Sequence, residues 1–343
     1  MTDAEIDEAL GKPRMTTGLF GHRDAEIALL DAYRSGRMHH AWMIGGPRGI
    51  GKATLAYRMA RFVLAHPDPD DAAVRNATSL AVDADHPVAH KIAARSHGDL
   101  LVLKRTLNEK GKMQTVIPVA QVRRAVSFFG STAGEGGWRV CIIDTIDEVQ
   151  MPHGANALLK VLEEPPRNAL LLLVSNAPGQ LLPTIRSRVR RLTLRPLATE
   201  EAMQAVALEA GSDAEEVTIR EAVEAASGSV GRALDMLAGT TLTLRKSILD
   251  QLARLPRLDD QALHGLGEQM SGTDPQVLAA FLETLNQWIS EQVRTRTNAG
   301  PRYRLAEAFA AINAAAHDAD TFNLERKPLV FNAFERLAEA MRD

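Results

Sequence analysis

An α/β fold built on a mostly parallel sheet, continued by helices alone, is what this sequence predicts. Three observations carry that expectation. Short apolar runs alternate with helical patterns from about residue 21 to residue 194, the order that yields parallel strands covered on both faces. One of those runs leads into a glycine-rich turn, a lysine and a helix. From Pro196 onward the strand signal fades and only helical periodicity remains.

Taken in order, residues 1–19 read as a loose leader whose start, Met1-Thr2-Asp3-Ala4-Glu5, is acidic and lacks an apolar signal core. Gly21 to Ser35 reads as a helix with Ile27, Leu30 and Tyr33 on one side and Gly36 as its stop. His40 to Ile44 is the first strand, and Lys52 to Leu64 a second helix. His66-Pro67-Asp68-Pro69-Asp70-Asp71 breaks the chain, and residues 72–97 are helical in part. Asp99 to Leu103 reads as a buried strand, and Asn108 to Lys112 as a hairpin tip. Pro118 suits the first position of a helix that runs to Phe129, with loop from Gly130 to Gly137.

Arg139 to Asp144 is a further buried strand. Gly154 to Glu164 is a helix closed by Pro165-Pro166. Ala169 to Ser175 and Val189 to Leu194 complete the sheet. Thr199 caps a helix that opens on Glu200-Glu201, and helices near 213–226 and 229–238 follow. Helical spacing continues through Leu278, Phe281, Leu285 and Ile289, and through Val330, Phe334, Leu337 and Met341.

Composition narrows the class. The net charge of −3 over 343 residues argues against a strongly basic nucleic-acid binder. A single cysteine, Cys141, excludes an internal disulfide and a four-cysteine zinc site, and fits a reducing compartment. No run approaches the ~20 apolar residues of a membrane span. The expectation is a cytoplasmic protein without a membrane segment.

The chemistry centres on Gly46-Pro47-Arg48-Gly49-Ile50-Gly51-Lys52-Ala53-Thr54. Strand, glycine turn, lysine and helix form a phosphate cradle: backbone N–H groups converge, the helix N-terminus adds its dipole and Lys52 a full charge. Ser or Thr normally follows the lysine and holds Mg²⁺. Here Ala53 stands there, and Thr54 is one residue late, about 100° around the helix. The loop looks able to hold phosphate and ill equipped for metal-assisted chemistry.

Asp144 ends a hydrophobic strand and either merely caps it or, as the spacing and order of elements favour, is the carboxylate that holds Mg²⁺ through water in P-loop enzymes. The residue after it, where an active ATPase has Glu, is Thr145; Asp147 and Glu148 come later. Asn176 ends the next strand and either touches the γ-phosphate or only forms a turn. Arg188, in Pro183-Thr184-Ile185-Arg186-Ser187-Arg188, either reaches a neighbouring subunit's nucleotide or belongs to a solvated basic cluster with Arg190 and Arg191; composition alone favours the cluster. Arg232, in Gly228-Ser229-Val230-Gly231-Arg232, faces nucleotide across a cleft or is an ordinary surface residue. His86 and His90 could share a helix face near Asp83, Asp85 and His97, but no thiolates or helix motif support a metal there. Cys141 reads as a small apolar filler of a buried strand.

These residues match a family. His39-His40-Ala41 before the glycine loop, Asn156-Ala157-Leu158-Leu159-Lys160-Val161-Leu162-Glu163-Glu164-Pro165-Pro166, and Leu182-Pro183-Thr184-Ile185-Arg186-Ser187-Arg188 together resemble the bacterial clamp-loader AAA+ proteins of DNA polymerase III. The motifs span about Gly21 to Leu237, and the C-terminal hundred residues match only in being helical.

The resemblance implies a RecA-like AAA+ nucleotide-binding domain (1–195), a three-helix lid (196–240) and an all-α collar for oligomerisation (241–343). It implies ATP or ADP as the nucleotide, on the loop residues with Asp144 and Asn176. It implies a hetero-pentamer with gamma/tau motor and delta subunits that loads the sliding β clamp onto primer-template DNA.

Ser187-Arg188 matches the family's Ser-Arg-Cys motif, with Val189 for Cys. This favours Arg188 as a finger acting in trans, a role that can be worth ~10³–10⁵ in rate. The lid motif Gly-Ser-x-Arg places Gly231 where the arginine belongs, with Arg232 one step off. Some members carry a four-cysteine zinc module between the P-loop helix and the second strand. Residues 72–98 hold no cysteine, so no zinc is expected.

Ala53, Thr145 and Gly231 each remove a part needed for hydrolysis. The reading is therefore the stator of the loader, with weak or absent ATPase. The alternative is an active AAA+ ATPase, a motor subunit or helicase-type remodeller, in which Thr54 or a water and Glu148 stand in for the missing groups. A small-molecule kinase is disfavoured, because nearly half the chain is helical appendage.

Overall fold

A computed structural model describes residues 13–107, 113–130, 134, 137–210, 215–239, 241–272, 275–296, 299–322 and 324–342. The expected hairpin tip at 108–112 lies outside them, flanked by an antiparallel bridge between Leu107 and Met113. Contacts divide the chain into two compact units, one ending at Leu234 and one starting at Asp235.

The first unit opens with α1 (Arg23–Arg34), β1 (Ala41–Gly45) and α2 (Lys52–Ala65), then the short helices α3 (Ala72–Asn76) and α4 (Pro87–Ala93). It continues with β2 (Leu100–Lys104), α5 (Val119–Phe129), β3 (Arg139–Asp144), α6 (His153–Glu163), β4 (Ala169–Ser175), α7 (Pro183–Arg186) and β5 (Arg190–Thr193). The five strands are parallel in the order β2-β3-β4-β1-β5. β4 is a leucine run, and every residue in it and in β1 is buried, as expected of central parallel strands covered on both sides.

Alternate residues feed opposite cores. Trp42, Ile44, Val140, Ile142, Leu170 and Leu172 face α1 and α2, packing on Leu29, Tyr33, Leu55 and Phe62. Met43, Cys141, Ile143, Leu171 and Leu173 face α5 and α6, packing on Val122, Phe129, Leu158 and Leu162. β5 is an edge, and its Arg190 and Arg191 are exposed, charges that discourage pairing with another chain. The Arg190 guanidinium lies 4.8 Å from the centre of the buried Trp42 ring.

Some expectations shift. Residues 13–19 are not loose. The Arg61 guanidinium donates to the Arg14 carbonyl at 2.8 Å, Arg14 Nε donates to Ala93 at 3.0 Å, and Arg58 donates to the Thr17 carbonyl. Buried arginines on α2 need acceptors, and the leader supplies them. Pro118 is the cap of α5 rather than its first residue, since its ψ of 149° is extended. Thr199 lies inside α8 (Thr199–Ala210) instead of capping it. His86 caps α4 by accepting from Val88 N at 3.2 Å, so it shares no helix face with His90.

Two further helices, α9 (Glu216–Ala225) and α10 (Val230–Ala238), follow α8. Among its described residues the second unit holds helices and no strand: α11 (Thr241–Leu252), α12 (Asp260–Gln269), α13 (Pro275–Thr295), α14 (Ala299–Thr321) and α15 (Lys327–Met341). Its own core gathers Ile248, Phe281, Leu285, Ile312, Val330 and Phe334. No helix among the described residues is long and apolar enough to cross a membrane.

Candidate functional site

Parallel sheets of this kind bind ligands beyond the C-terminal ends of their strands. β1 delivers Gly46 to that edge, β4 delivers Asn176 and β3 delivers Asp144. Registration brings them side by side: Gly45 pairs with Ser175 and Asp144 with Val174, and Gly46 N donates to the Ser175 carbonyl at 3.2 Å.

The loop then turns through Gly49 (φ 77°) and Gly51 (φ 96°), left-handed backbone that favours glycine. Gly51 caps α2, whose first turn has no acidic side chain, leaving its N–H groups and dipole free for an anion. Pro47 and Arg48 are exposed, Ile50 is buried beneath the loop, and Ala53 and Thr54 are half-buried in the first turn.

Lys52 is buried, and its ammonium donates to the Pro47 carbonyl. Burial lowers its pKa to about 8, against the opposing pull of the Asp144 and Asp147 carboxylates. The same burial raises the Asp144 carboxyl above its ordinary range, and Lys52 is the first charge to oppose that rise. At the strand ends the lysine and the aspartate thus each temper the other's shift.

The donors a magnesium ion would need are not assembled. Ala53 has no oxygen to offer. Asp147 is engaged on both oxygens, accepting from Ser175 Oγ at 2.7 Å and from Asn176 N at 2.5 Å. Glu148 is paired with Arg105 at 2.8 Å. Thr145 is buried, and its hydroxyl finds no hydrogen-bond partner among the described residues. Mg²⁺ at such sites keeps several waters and takes one or two carboxylates with substrate phosphates, so Asp144 would be the protein oxygen left to meet it, without the hydroxyl that Ala53 lacks. The loop fits a phosphate, and the metal side of the site is reduced to that one carboxylate.

The start of α10 is docked on the loop. Ser229 Oγ donates to the Arg48 carbonyl at 2.9 Å, and Gly231 N donates to the Gly49 carbonyl at 2.8 Å. A Cβ on Gly231 would lie 3.0 Å from Gly49 Cα. Glycine at 231 suits this close approach, since a side chain there would require the neighbouring backbone to give by a few tenths of an ångström. On the other side, His22 Nε2 is 2.6 Å from the Ile50 carbonyl.

Arg188 lies elsewhere. β5 begins at Arg190, which pairs with Trp42 near the start of β1, so Arg188 sits at the N-terminal end of the sheet. The P-loop leaves the opposite end, roughly 10 Å or more away at ~3.3 Å per strand residue. The guanidinium is held locally: Nη1 donates to the Thr184 carbonyl at 3.0 Å and to Ser187 Oγ at 3.2 Å, and Nη2 lies 2.9 Å from Glu163 Oε1.

Cys141 is fully buried in β3, and burial pushes its thiol up to about 12, out of reach as a nucleophile. Among the described residues no group of three or more His, Cys, Asp or Glu is placed to share a metal ion.

The family model for DNA polymerase III, delta subunit, matches residues 21–198. The chain belongs to that family. Its curated relatives include DNA polymerase III subunit delta' of Pseudomonas aeruginosa, 36% identical over 149 residues, 43% of this chain and 41% of that protein. The subunit delta' of Escherichia coli is 28% identical over 232 residues, 66% of this chain and 62% of that protein. DNA polymerase III subunit gamma/tau of Mycobacterium tuberculosis is 26% identical over 301 residues, 79% of this chain and 48% of that protein. The matches cover less than two thirds of each relative. The family is the one that the Asn156–Pro166 string and the Ser-Arg motif point to.

Three residues of this site escape motif reading. His22 carries no signal beyond a glycine before a helix. Asp147 follows a strand end as many loop aspartates do. Ser229 sits in the lid motif, yet nothing in that motif says its hydroxyl reaches the P-loop.

Proposed function

We propose that this chain is the delta-prime stator of a clamp loader, with Arg188 as the arginine finger for a neighbouring motor subunit's ATP. One observation carries the reading: Arg188 lies at the opposite end of the sheet from this chain's own P-loop, where it has no phosphate of its own to serve. A guanidinium is always charged and forks onto phosphate oxygens, which suits the task.

The chain's own site supports the same reading. Gly46, Pro47, Arg48, Gly49, Ile50, Gly51, Lys52, Ala53 and Thr54, with Asp144 and Asn176, hold ATP or ADP weakly and hydrolyse it slowly or not at all. Residues 1–195 form the nucleotide-binding domain, 196–240 the lid and 241–343 the collar that joins a hetero-pentamer with gamma/tau and delta subunits. The assembly acts in the cytoplasm and loads the β clamp onto primer-template DNA, and this chain works without zinc. Glu26 on α1 ties the segment before β2 to α2. Its carboxylate accepts from Arg58 Nε at 2.5 Å and from Leu80 N at 2.9 Å.

The test is a reconstituted loader carrying Arg188→Ala. DNA-stimulated ATPase should fall at least tenfold, and by up to the ~10³–10⁵ that a finger can be worth at its site; unchanged turnover would remove the finger. A second reading, an active motor, draws on the gamma/tau relative that aligns with 79% of the chain. Robust magnesium-dependent turnover by the isolated chain, abolished by Lys52→Ala, would establish it instead.

A further inference from the structure

We infer that Glu163 is a positioning residue for Arg188: it sets the guanidinium in the orientation that a neighbour's phosphate meets. The inference rests on the finger reading above and adds the residue through which the finger is aimed.

Glu163 is the last residue of α6, and Glu164 follows as its cap. A carboxylate at a helix C-terminus faces the negative end of the dipole, so it is unfavourable there unless a cation joins it. Arg188 is that cation, with Nη2 at 2.9 Å from Oε1. Pro165 ends the helix at this point, because a residue before proline avoids the helical region, and Glu164 has left it with ψ at 67°. The backbone of Glu163 is therefore fixed by the end of α6.

The other two contacts come from α7 and its cap. The Thr184 carbonyl and Ser187 Oγ take both Nη1 protons. Three acceptors from two elements define the plane of the guanidinium. One Nη2 proton and the Nε proton are left to meet phosphate oxygens. Glu163 and Arg188 keep 48% and 37% of their side-chain surface exposed. A pair so exposed adds little to stability. Its effect is on orientation, which lets a charge act without first paying rotamer entropy.

The experiment is a double-mutant cycle in the reconstituted loader, with DNA-stimulated ATPase as the readout. Arg188→Ala, Glu163→Gln, the double variant and Glu163→Asp are compared. Glu163→Gln should lower turnover roughly three- to thirtyfold, less than the ~10²-fold that a 1 Å misplacement can cost. It should have no effect once Arg188 is alanine, and Glu163→Asp should recover part of the loss. Full activity or a gain in Glu163→Gln overturns the inference, and so does an equal loss in the Arg188→Ala background. If Arg188→Ala itself leaves turnover unchanged, the finger reading fails and this one falls with it. If Arg188→Ala slows turnover and Glu163→Gln does not, only the positioning role is lost.

Discussion

Single residues decide what the P-loop can do. Lys52 is held inside the protein by its own loop, with its pKa brought down to about 8 by burial. From about pH 8 to the ordinary 10.5 the folded chain therefore binds less proton at Lys52 than the unfolded chain does, and stability at this residue gains as pH rises. Phosphate works the other way, because it prefers the protonated amine. ATP affinity should be flat below about pH 7 and weaken above pH 8, approaching ~tenfold per unit. Titration calorimetry from pH 6.5 to 9.5 checks this, and a flat profile would show either that Lys52 keeps its proton throughout this range or that it does not touch the nucleotide. The loop and its lysine are legible in the sequence, since glycine spacing and a lysine before a helix follow from local geometry. That Asp147 spends both oxygens on the end of β4 and the residue after it is not legible, because the partners, Ser175 and Asn176, are 28 and 29 residues away.

Elements show where local reading works and where it stops. Strands β1, β3 and β4 fall where the apolar runs place them, because a fully covered strand needs only continuous hydrophobicity. Helix ends move by a residue or so, as with Pro118 and Thr199, where capping chemistry does not discriminate neighbouring positions. The leader is the larger departure: residues 13–19 are tied down by arginines of α2, a helix whose burial is set by the sheet beneath it.

Helix α10 gives the sharpest case. Its first turn lies on the P-loop because Gly231 has no side chain to keep it away. Gly231→Ala would put a Cβ 3.0 Å from Gly49 Cα and push the helix start off the loop. The amide at 231 should then exchange with solvent about five- to tenfold faster, the loss of one hydrogen bond worth about 1 kcal/mol. Hydrogen–deuterium exchange measures it, and unchanged protection would mean that the contact is not a restraint.

At the scale of the whole molecule, the chain is two compact units with separate cores, one built on both faces of the sheet and one of helices alone. Phe334 is fully buried in the second. Phe334→Ala should cost that unit about 3–5 kcal/mol through lost burial and the cavity left behind. In urea, exchange-labelled peptides from 241–342 should open earlier, while those of the sheet hold their midpoint. A matching shift in both sets would show that the two unfold as one.

By itself the sequence determined the alternation of strand and helix, the phosphate loop, the absent hydroxyl at Ala53 and the family to which the motifs belong. All of these are properties of neighbouring residues, carried by spacing and side-chain type. Only the tertiary structure decided that Arg188 sits at the far end of the sheet from Lys52, that Glu163 meets it, and that a glycine lets α10 rest on the loop. Those are meetings between residues far apart in the chain, and they are set by strand order and packing, which no short window of sequence contains.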